Sequence, residues 1–241
     1  MLDDTADRIK RVSRRLFAQR GIDGVSVRDI VSAAGARNNG SVHYYFGSKE
    51  ALVRELVADG AKLVDERRLQ ALSEFEQSGK AVELRDILQI LVMSTIAADG
   101  EGDDHSYVRF ITVLQMSHRK LFVEALENRW TVGFRRCHAH LKRLLPDIPE
   151  PLLKQRLTFL SLYLGAVIAE REANLDQRKR GNKWWGSRTA IDNLLDTAIA
   201  LLSSPPSTAT LAEAARREQG GAGGLSEQAA INPLLFSADS I

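Results

Sequence analysis

The sequence predicts an all-α protein built of helical domains. Apolar residues recur every three or four positions along most of the 241-residue chain, which is the spacing of one helix face. The central segments contain no alternating strand pattern and no repeat period. Signals of helix starts and ends divide the pattern into separate helices, among them Ser26 followed by Asp29, and the glycines Gly21 and Gly35.

The first predicted helix covers residues 5–20 and ends at Gly21. Its apolar stripe consists of Ile9, Val12, Leu16 and Phe17. The other side is basic and carries Arg8, Lys10, Arg11, Arg14 and Arg15. Such charge runs are usually solvated faces, and the alternative is that some of these side chains lie near phosphate.

Two short helices joined by a tight turn follow. Ser26 and Asp29 have the capping-box spacing, so a helix is expected to begin there and to end at Gly35. Asn38 or Asn39 can cap a second helix over residues 40–46, which Gly47 closes. Two short helices with a glycine-containing turn are typical of a helix-turn-helix, whose second helix enters the DNA major groove.

Residues 25–52 resemble the DNA-binding domain of TetR-family transcriptional repressors. The matching residues are Arg28, Asp29, Ile30, Ala33, Ala34, Gly35, Gly40, Ser41, Val42, His43, Tyr44, Tyr45, Phe46, Ser48, Lys49, Glu50, Ala51 and Leu52. One departure is that the turn over residues 36–39 is one residue longer than the usual family turn. The resemblance implies a regulator that binds double-stranded operator DNA.

The chemistry of DNA grooves divides the candidate DNA contacts into two groups. Asparagine, serine, histidine and arginine can pair with base edges, and the candidates for base readout are Arg37, Asn38, Asn39, Ser41 and His43. Contacts to the phosphate backbone are expected from Ser26, Arg28, Tyr44 and Lys49. Tyr45 and Phe46 are instead expected to close a small core against Phe17 and Ile30.

The remaining residues predict a connecting helix and a helical regulatory region. A long helix runs from Ser48 to about Phe75, and further helical patterns cover residues 81–98, 108–114 and 122–145. The predicted domains are therefore a helix-turn-helix domain over residues 1–47, a helical domain over residues 48–203, and a flexible tail over residues 204–241. One polar helix is possible in the tail at residues 211–217.

Two late helices, over residues 151–175 and 188–202, have apolar positions on more than one face. Each could simply pack twice inside its own domain. In the TetR family the last two helices pair with their symmetry mates, so the resemblance implies a homodimer held by these helices.

The resemblance also implies a small, mostly apolar effector that binds between the helices of the regulatory domain and releases the protein from DNA. The candidate polar groups of this ligand site are Tyr107, Arg109, His118, Trp130 and Tyr163. An alternative is a DNA-binding regulator that responds to a partner protein without a small ligand.

An enzyme is the competing class of function. Cys137, His138 and His140 lie close together, but His138 and His140 point to different sides of a helix, and zinc sites need convergent ligands. We expect no catalytic residues, no metal and no cofactor. The acidic, amphipathic N-terminus and the lack of a long apolar run predict a cytoplasmic protein that does not enter a membrane. Because the net charge is only +2, any DNA contact must use a local patch.

Overall fold

The computed structural model describes residues 3–36, 38, 40–99, 105–126, 129–176 and 183–219. Within these residues it contains α-helices, two short 3-10 helices and no strand. The α-helices are α1 (Asp3–Arg20), α2 (Val27–Ala33), α3 (Gly40–Phe46), α4 (Lys49–Gln77), α5 (Leu84–Ile96), α6 (Tyr107–Ser117), α7 (Arg119–Leu126), α8 (Val132–Leu144), α9 (Glu150–Asp176), α10 (Arg188–Ser203) and α11 (Thr208–Gln219). The 3-10 helices are Ala97–Asp99 and Lys183–Gly186. The predicted all-helical fold class is confirmed.

One predicted helix is interrupted. The apolar pattern from Phe122 to Leu145 predicts a single helix, whereas α7 ends at Leu126 and α8 begins at Val132. Trp130, between the two helices, has a φ of 60°. A right-handed helix cannot continue through this left-handed conformation, which is costly for a bulky side chain.

The helices form two compact units. The first unit comprises Met1–Val64, Ile96–Trp130 and Gly165–Gly186, and the second comprises Asp65–Thr95, Thr131–Leu164 and Ser187–Ile241. Both α4 and α9 contribute residues to each unit. The predicted domain boundaries at residues 47 and 203 stay predictions. Residues 220–241 of the predicted tail, including Leu234 to Phe236, lie outside the described residues, and α11 occupies the position of the predicted polar helix.

In the first unit, α1 packs on α6 as well as on α2. The ring of Phe17 stacks on that of Phe110 with centroids 6.1 Å apart, and both side chains are fully buried. Arg14 Nε donates a hydrogen bond to Ser106 Oγ at 3.1 Å. Phe17, which was expected to meet the aromatic residues of α3, therefore has its ring partner on α6.

The start of α6 is capped by a distant carboxylate. The local N-cap residue, Ser106, makes no side-chain capping hydrogen bond. Instead the two carboxylate oxygens of Glu172 on α9 accept hydrogen bonds from the backbone N–H groups of Val108 and Arg109, at 2.9 and 2.8 Å. Glu172 is 2% exposed, so these bonds satisfy a buried charge and two free amides of the helix start.

The second unit has its own apolar core, with Leu72, Ile87, Leu91, Phe134, Leu160 and Leu195 all buried. Asp65 of α4 caps α8, because its Oδ1 accepts hydrogen bonds from the N–H groups of Gly133 at 2.9 Å and of Phe134 at 3.3 Å. A Cβ at Gly133 would approach Asp65 and Arg68 to within 2.9 Å. This close approach explains why glycine occupies the first turn of α8.

Within the described residues, one helix, α9, is long and apolar enough to cross a membrane by length and composition. Its Leu153, Leu157, Leu160, Leu164 and Ile168 are buried within the protein. Such burial is typical of a core helix, whose apolar face packs on neighbouring elements.

Candidate DNA-binding site

The first helix of the predicted helix-turn-helix begins at a capping box. Ser26 has extended backbone angles, its Oγ accepts a hydrogen bond from Asp29 N at 3.2 Å, and Asp29 Oδ2 accepts one from Ser26 N at 2.8 Å. The hydrogen bonds from the Ser26 side chain and backbone lower the pKa of the Asp29 carboxyl. The predicted start of α2 is thus confirmed, and Arg28 is exposed in its first turn.

Glycines end both short helices. Gly35 and Gly47 have φ values of 60° and 79°, a region that other residues enter only at a cost. After α2, Ala36 N donates to Val31 O at 3.1 Å, which is the closing bond of a Schellman motif. The chain therefore turns sharply after α2 and again after α3.

The turn between α2 and α3 is organised by Asn38. Its Oδ1 accepts a hydrogen bond from Gly40 N at 2.9 Å, and its backbone carbonyl accepts from Ser41 N at 2.9 Å and from Ser41 Oγ at 2.7 Å. Asn38 is exposed and Ser41 is half-buried. Asn38 thus helps to begin α3, and base readout by Asn38 and Ser41 stays a prediction. Arg37 and Asn39 lie outside the described residues.

Helix α3 has one buried face and one exposed face. Val42 is 1% exposed and anchors the helix, whereas Tyr44 is 77% exposed and His43 is also exposed. Tyr45 and Phe46 are half-buried, and the Tyr45 ring contacts both neighbours, at centroid distances of 5.0 Å to Tyr44 and 6.2 Å to Phe46. A helix that exposes a tyrosine and a histidine beside a buried anchor can bring both side chains to DNA.

The ring of His43 is oriented by the end of its own helix. Its Nδ1 is hydrogen-bonded to the backbone carbonyl of Gly47, four residues later. Because a carbonyl oxygen only accepts, Nδ1 carries the hydrogen and Nε2 is the other ring nitrogen available to a partner. The His–Gly spacing is visible in the sequence, but the bond was not predicted.

Lys49 is held inside the domain. Its Nζ donates hydrogen bonds to the backbone carbonyls of Ile22 and Val25, each at 3.1 Å. These bonds tie the first turn of α4 to the segment between α1 and α2. The predicted contact between Lys49 and a DNA phosphate stays a prediction. A phosphate would compete with the carbonyls of Ile22 and Val25 for the Lys49 ammonium.

Residues 9–56 match the sequence model of bacterial regulatory proteins of the tetR family. The matched segment contains the capping box, both short helices and the first turns of α4. Residues 9–56 are therefore a DNA-binding segment of the TetR-family type.

Comparison with known proteins gives a short sequence match and a solved structure of similar fold. The chain is 39% identical over 61 residues to the HTH-type transcriptional repressor KstR2 of Rhodococcus jostii (strain RHA1), and the alignment covers 23% of this chain and 29% of that repressor. The chain thus matches less than a third of that relative's length. A TetR-family transcriptional regulator from Mesorhizobium loti MAFF303099 has a similar structure, with a TM-score of 0.51 and 20% identity over 84% of this chain and 96% of the other. PfmR from Thermus thermophilus has a TM-score of 0.47 at 15% identity, over 83% of this chain and 96% of its own.

Each of the five predicted ligand residues contacts a partner inside its own unit. Four of the five belong to the first unit: Tyr107, Arg109, His118 and Trp130. Tyr107 Oη reaches Val57 O at 3.4 Å, Arg109 binds Asp176, and His118 Nε2 lies 3.1 Å from Asp23 Oδ2. The ammonium of Lys62 lies 5.7 Å from the ring centre of Trp130. In the second unit, the hydroxyl of Tyr163 is hydrogen-bonded to Thr197 Oγ1 at 2.6 Å. Their role in ligand binding stays a prediction.

The second unit contains a cavity of about 220 Å³ between α4 and α5. It is lined by Ala71, Phe75, Asp86, Gln89, Ile90, Met93 and Ser94. Sites for drug-sized ligands usually occupy roughly 300 to 1,000 Å³. The cavity is smaller than this range, and none of the five predicted ligand residues lines it.

Cys137 and His140, two members of the cluster that suggested an enzyme, are buried. Burial raises the pKa of the Cys137 thiol to about 11, so the reactive thiolate is scarce at neutral pH. His140 Nε2 is hydrogen-bonded to Glu76 Oε1 at 3.0 Å, and Arg143 donates to His140 Nδ1 at 2.9 Å. Among the residues that the structure describes, no three His, Cys, Asp or Glu side chains converge as a metal site.

Proposed function

We propose that this chain is a homodimeric, cytoplasmic transcriptional repressor that binds a palindromic operator through α2 and α3 and is released by a small, mostly apolar effector. The observation that carries this proposal is the exposed pair His43 and Tyr44 on a short helix fixed by a capping box and two glycines. The repressor named among the relatives supports the same direction of regulation. The proposal includes no catalysis and no cofactor.

DNA binding is tested by selecting duplexes that the full-length protein retains from a random pool. We expect enrichment of an inverted repeat. A matched pair of variants then locates the contact: Tyr44→Phe removes only a hydroxyl from a 77% exposed side chain, and Met116→Ala alters an 85% exposed side chain on α6. Tyr44→Phe should weaken binding with an unchanged unfolding temperature, whereas Met116→Ala should bind as the unaltered protein does. Failure to enrich any duplex would refute the proposed function.

The dimer proposal is supported by exposed apolar side chains on α9. Phe159 is 56% exposed and Leu162 is 62% exposed, and their three-residue spacing places them on the same side of the helix. Isologous pairing of two copies through this face would remove both side chains from water. Leu160 and Leu195, by contrast, are buried within the chain at 0% and 1% exposure, so they are core residues of the second unit.

Control by an effector requires that the regulatory helices bear on the DNA-binding helices. In the first unit this contact is the packing of α6 on α1, through Phe17 and Phe110 and through the hydrogen bond from Arg14 to Ser106. An effector that binds one arrangement of α6 more tightly would shift the equilibrium toward the position of α1 that goes with that arrangement. The size of the shift is set by the difference in the effector's affinity for the two arrangements. Native mass spectrometry of the purified protein tests for a retained compound. A regulator controlled by a partner protein would retain none and would bind DNA equally well after extraction with organic solvent and refolding.

A further inference from the structure

We propose that His43 binds DNA as the charged imidazolium, through an Nε2–H that reaches an acceptor group of the DNA, so that DNA binding takes up one proton. This inference rests on the proposed function. It specifies that His43 is protonated in the DNA complex, and it predicts that the affinity for DNA depends on pH.

The geometry of the ring leaves only one nitrogen to change its protonation. Nδ1 is hydrogen-bonded to the carbonyl of Gly47, which cannot donate, so Nδ1 carries a hydrogen in the neutral and in the charged ring. Gly47, with φ at 79°, turns the chain at this point and ends the helix. Proton uptake must therefore occur at Nε2, and a neutral His43 presents a lone pair there.

His43 lies on a short helix that carries no other strongly charged side chain. It is exposed in α3, near the C-terminal end of the helix, where the free carbonyl groups stabilise cations. Helix α3 contains no Asp, Glu, Lys or Arg, and its other titratable side chains are Tyr44 and Tyr45.

The charged residues of α2 are Arg28 and Asp29, and those of the first turn of α4 are Lys49 and Glu50. The carboxylate of Asp29 is bound to Ser26, and the ammonium of Lys49 is bound to two carbonyls. Arg28 and Glu50 are exposed and opposite in sign. In this inference, the acceptor for Nε2–H is a group of the DNA.

DNA presents mainly acceptors to such a side chain. Phosphate and sugar oxygens take half to two-thirds of protein–DNA hydrogen bonds, and guanine offers N7 and O6 in the major groove. In a neutral His43, Nε2 is itself an acceptor, so its lone pair would face another lone pair of the DNA and no hydrogen bond would form. One added proton converts this unfavourable approach into a charge-assisted hydrogen bond, and histidine can gain that proton near neutral pH.

The test is calorimetric titration of full-length protein with the duplex enriched in the selection and with a random duplex, in buffers of different ionisation enthalpy. We expect net proton uptake near neutral pH, and affinity that falls by up to about tenfold per pH unit as pH rises, the limit for one linked proton. Uptake with both duplexes identifies a phosphate acceptor, and uptake with the selected duplex alone identifies guanine.

Two variants identify the residue that takes up the proton when DNA binds. His43→Gln should abolish the uptake while the protein still folds, because the side chain is exposed. His138→Gln changes a half-buried histidine of α8 in the second unit and should leave the uptake unchanged. Proton release, no uptake by the unaltered protein, or uptake that persists in His43→Gln would overturn this inference. Failure of the unaltered protein to bind either duplex at any pH would instead refute the proposed function, and this inference with it.

Discussion

Asp176, the last residue of α9, binds Arg15 of α1 across 161 positions of sequence. The same carboxylate accepts hydrogen bonds from Gln19 and from Arg109 of α6, each at 3.3 Å. Burial disfavours ionisation of this group, but the hydrogen bonds and charges of Arg15 and Arg109 hold its pKa below the ordinary aspartate value. One carboxylate therefore joins α1, α6 and α9 within the first unit.

Replacement of Asp176 by Asn should destabilise the first unit by about 1.5 to 3 kcal/mol, the usual value of a hydrogen bond to a charged group. Because the pKa of Asp176 is lowered by folding, its contribution is complete above the unfolded-state value of about 4 and is lost as pH falls through the folded-state value. Thermal unfolding between pH 3 and 7 should show the largest difference from the unaltered protein at pH 7. The exposed Asp147 provides the control, as Asp147→Asn. A difference that grew toward acid pH would contradict this interpretation.

Replacement of Lys49 distinguishes a role in protein stability from a role in DNA binding. Lys49→Ala removes two hydrogen bonds to the carbonyls of Ile22 and Val25, so the unfolding temperature should fall. If Lys49 also contacts phosphate, binding to selected and random duplexes should weaken alike, and the salt slope should decrease by about one. The measurement is affinity at several salt concentrations, below the unfolding temperature of the variant. A lower unfolding temperature with an unchanged slope would assign Lys49 to the internal bonds alone.

The proposed dimer face can be tested by introducing charge at an exposed position. Phe159→Glu or Leu162→Glu should give folded monomers, because an unpaired carboxylate would otherwise be buried between two copies. Light scattering measures the mass, and circular dichroism checks that the helices remain. Met116→Glu places the same charge at an exposed site of α6 and should leave the mass unchanged. Dimers that persist in both α9 variants would locate the interface elsewhere.

Two-fold symmetry makes a prediction about the operator. Two copies of α3 related by an isologous contact require an inverted repeat, with half-site centres on one face of the DNA, about one helical turn or a multiple of it apart. Insertion of about five base pairs between the half-sites should rotate one of them to the opposite face and abolish bivalent binding. Gel-shift titrations of the original and lengthened duplexes measure this loss. Equal affinity for both would be incompatible with a rigid symmetric dimer.

The parts of the site that the sequence predicted are those specified by neighbouring residues. The capping box depends on Ser26 and Asp29, three positions apart, and the ends of α2 and α3 depend on single glycines. Their chemistry is local, so a short segment contains all of it. The same is true of the apolar spacing that predicted α9 and α10 to within one residue at each end.

Other features depend on residues that are distant in sequence. Nothing near Asp176 indicates that it binds Arg15, and nothing near Lys49 indicates that the carbonyls of Ile22 and Val25 accept its hydrogen bonds. The break at Trp130 was also hidden, because the apolar spacing continues through it. Tertiary packing selected a backbone conformation that local propensity disfavours.

The distant caps of α6 and α8 have a consequence for synthesis on the ribosome. Asp65 precedes its target Gly133 by 68 positions, so the cap of α8 already exists when that helix emerges. Glu172 follows Val108 by 64 positions, so the first turn of α6 must wait for most of the chain to be made. Chains elongate by roughly 5 to 20 residues per second, and the delay is therefore several seconds. During this interval α1, α2 and α3 have emerged, but α6, on which α1 packs, lacks the capping carboxylate of Glu172. Nascent chains that stop before residue 172 should therefore contain an unfinished first unit, and competence for DNA binding should arise late in translation.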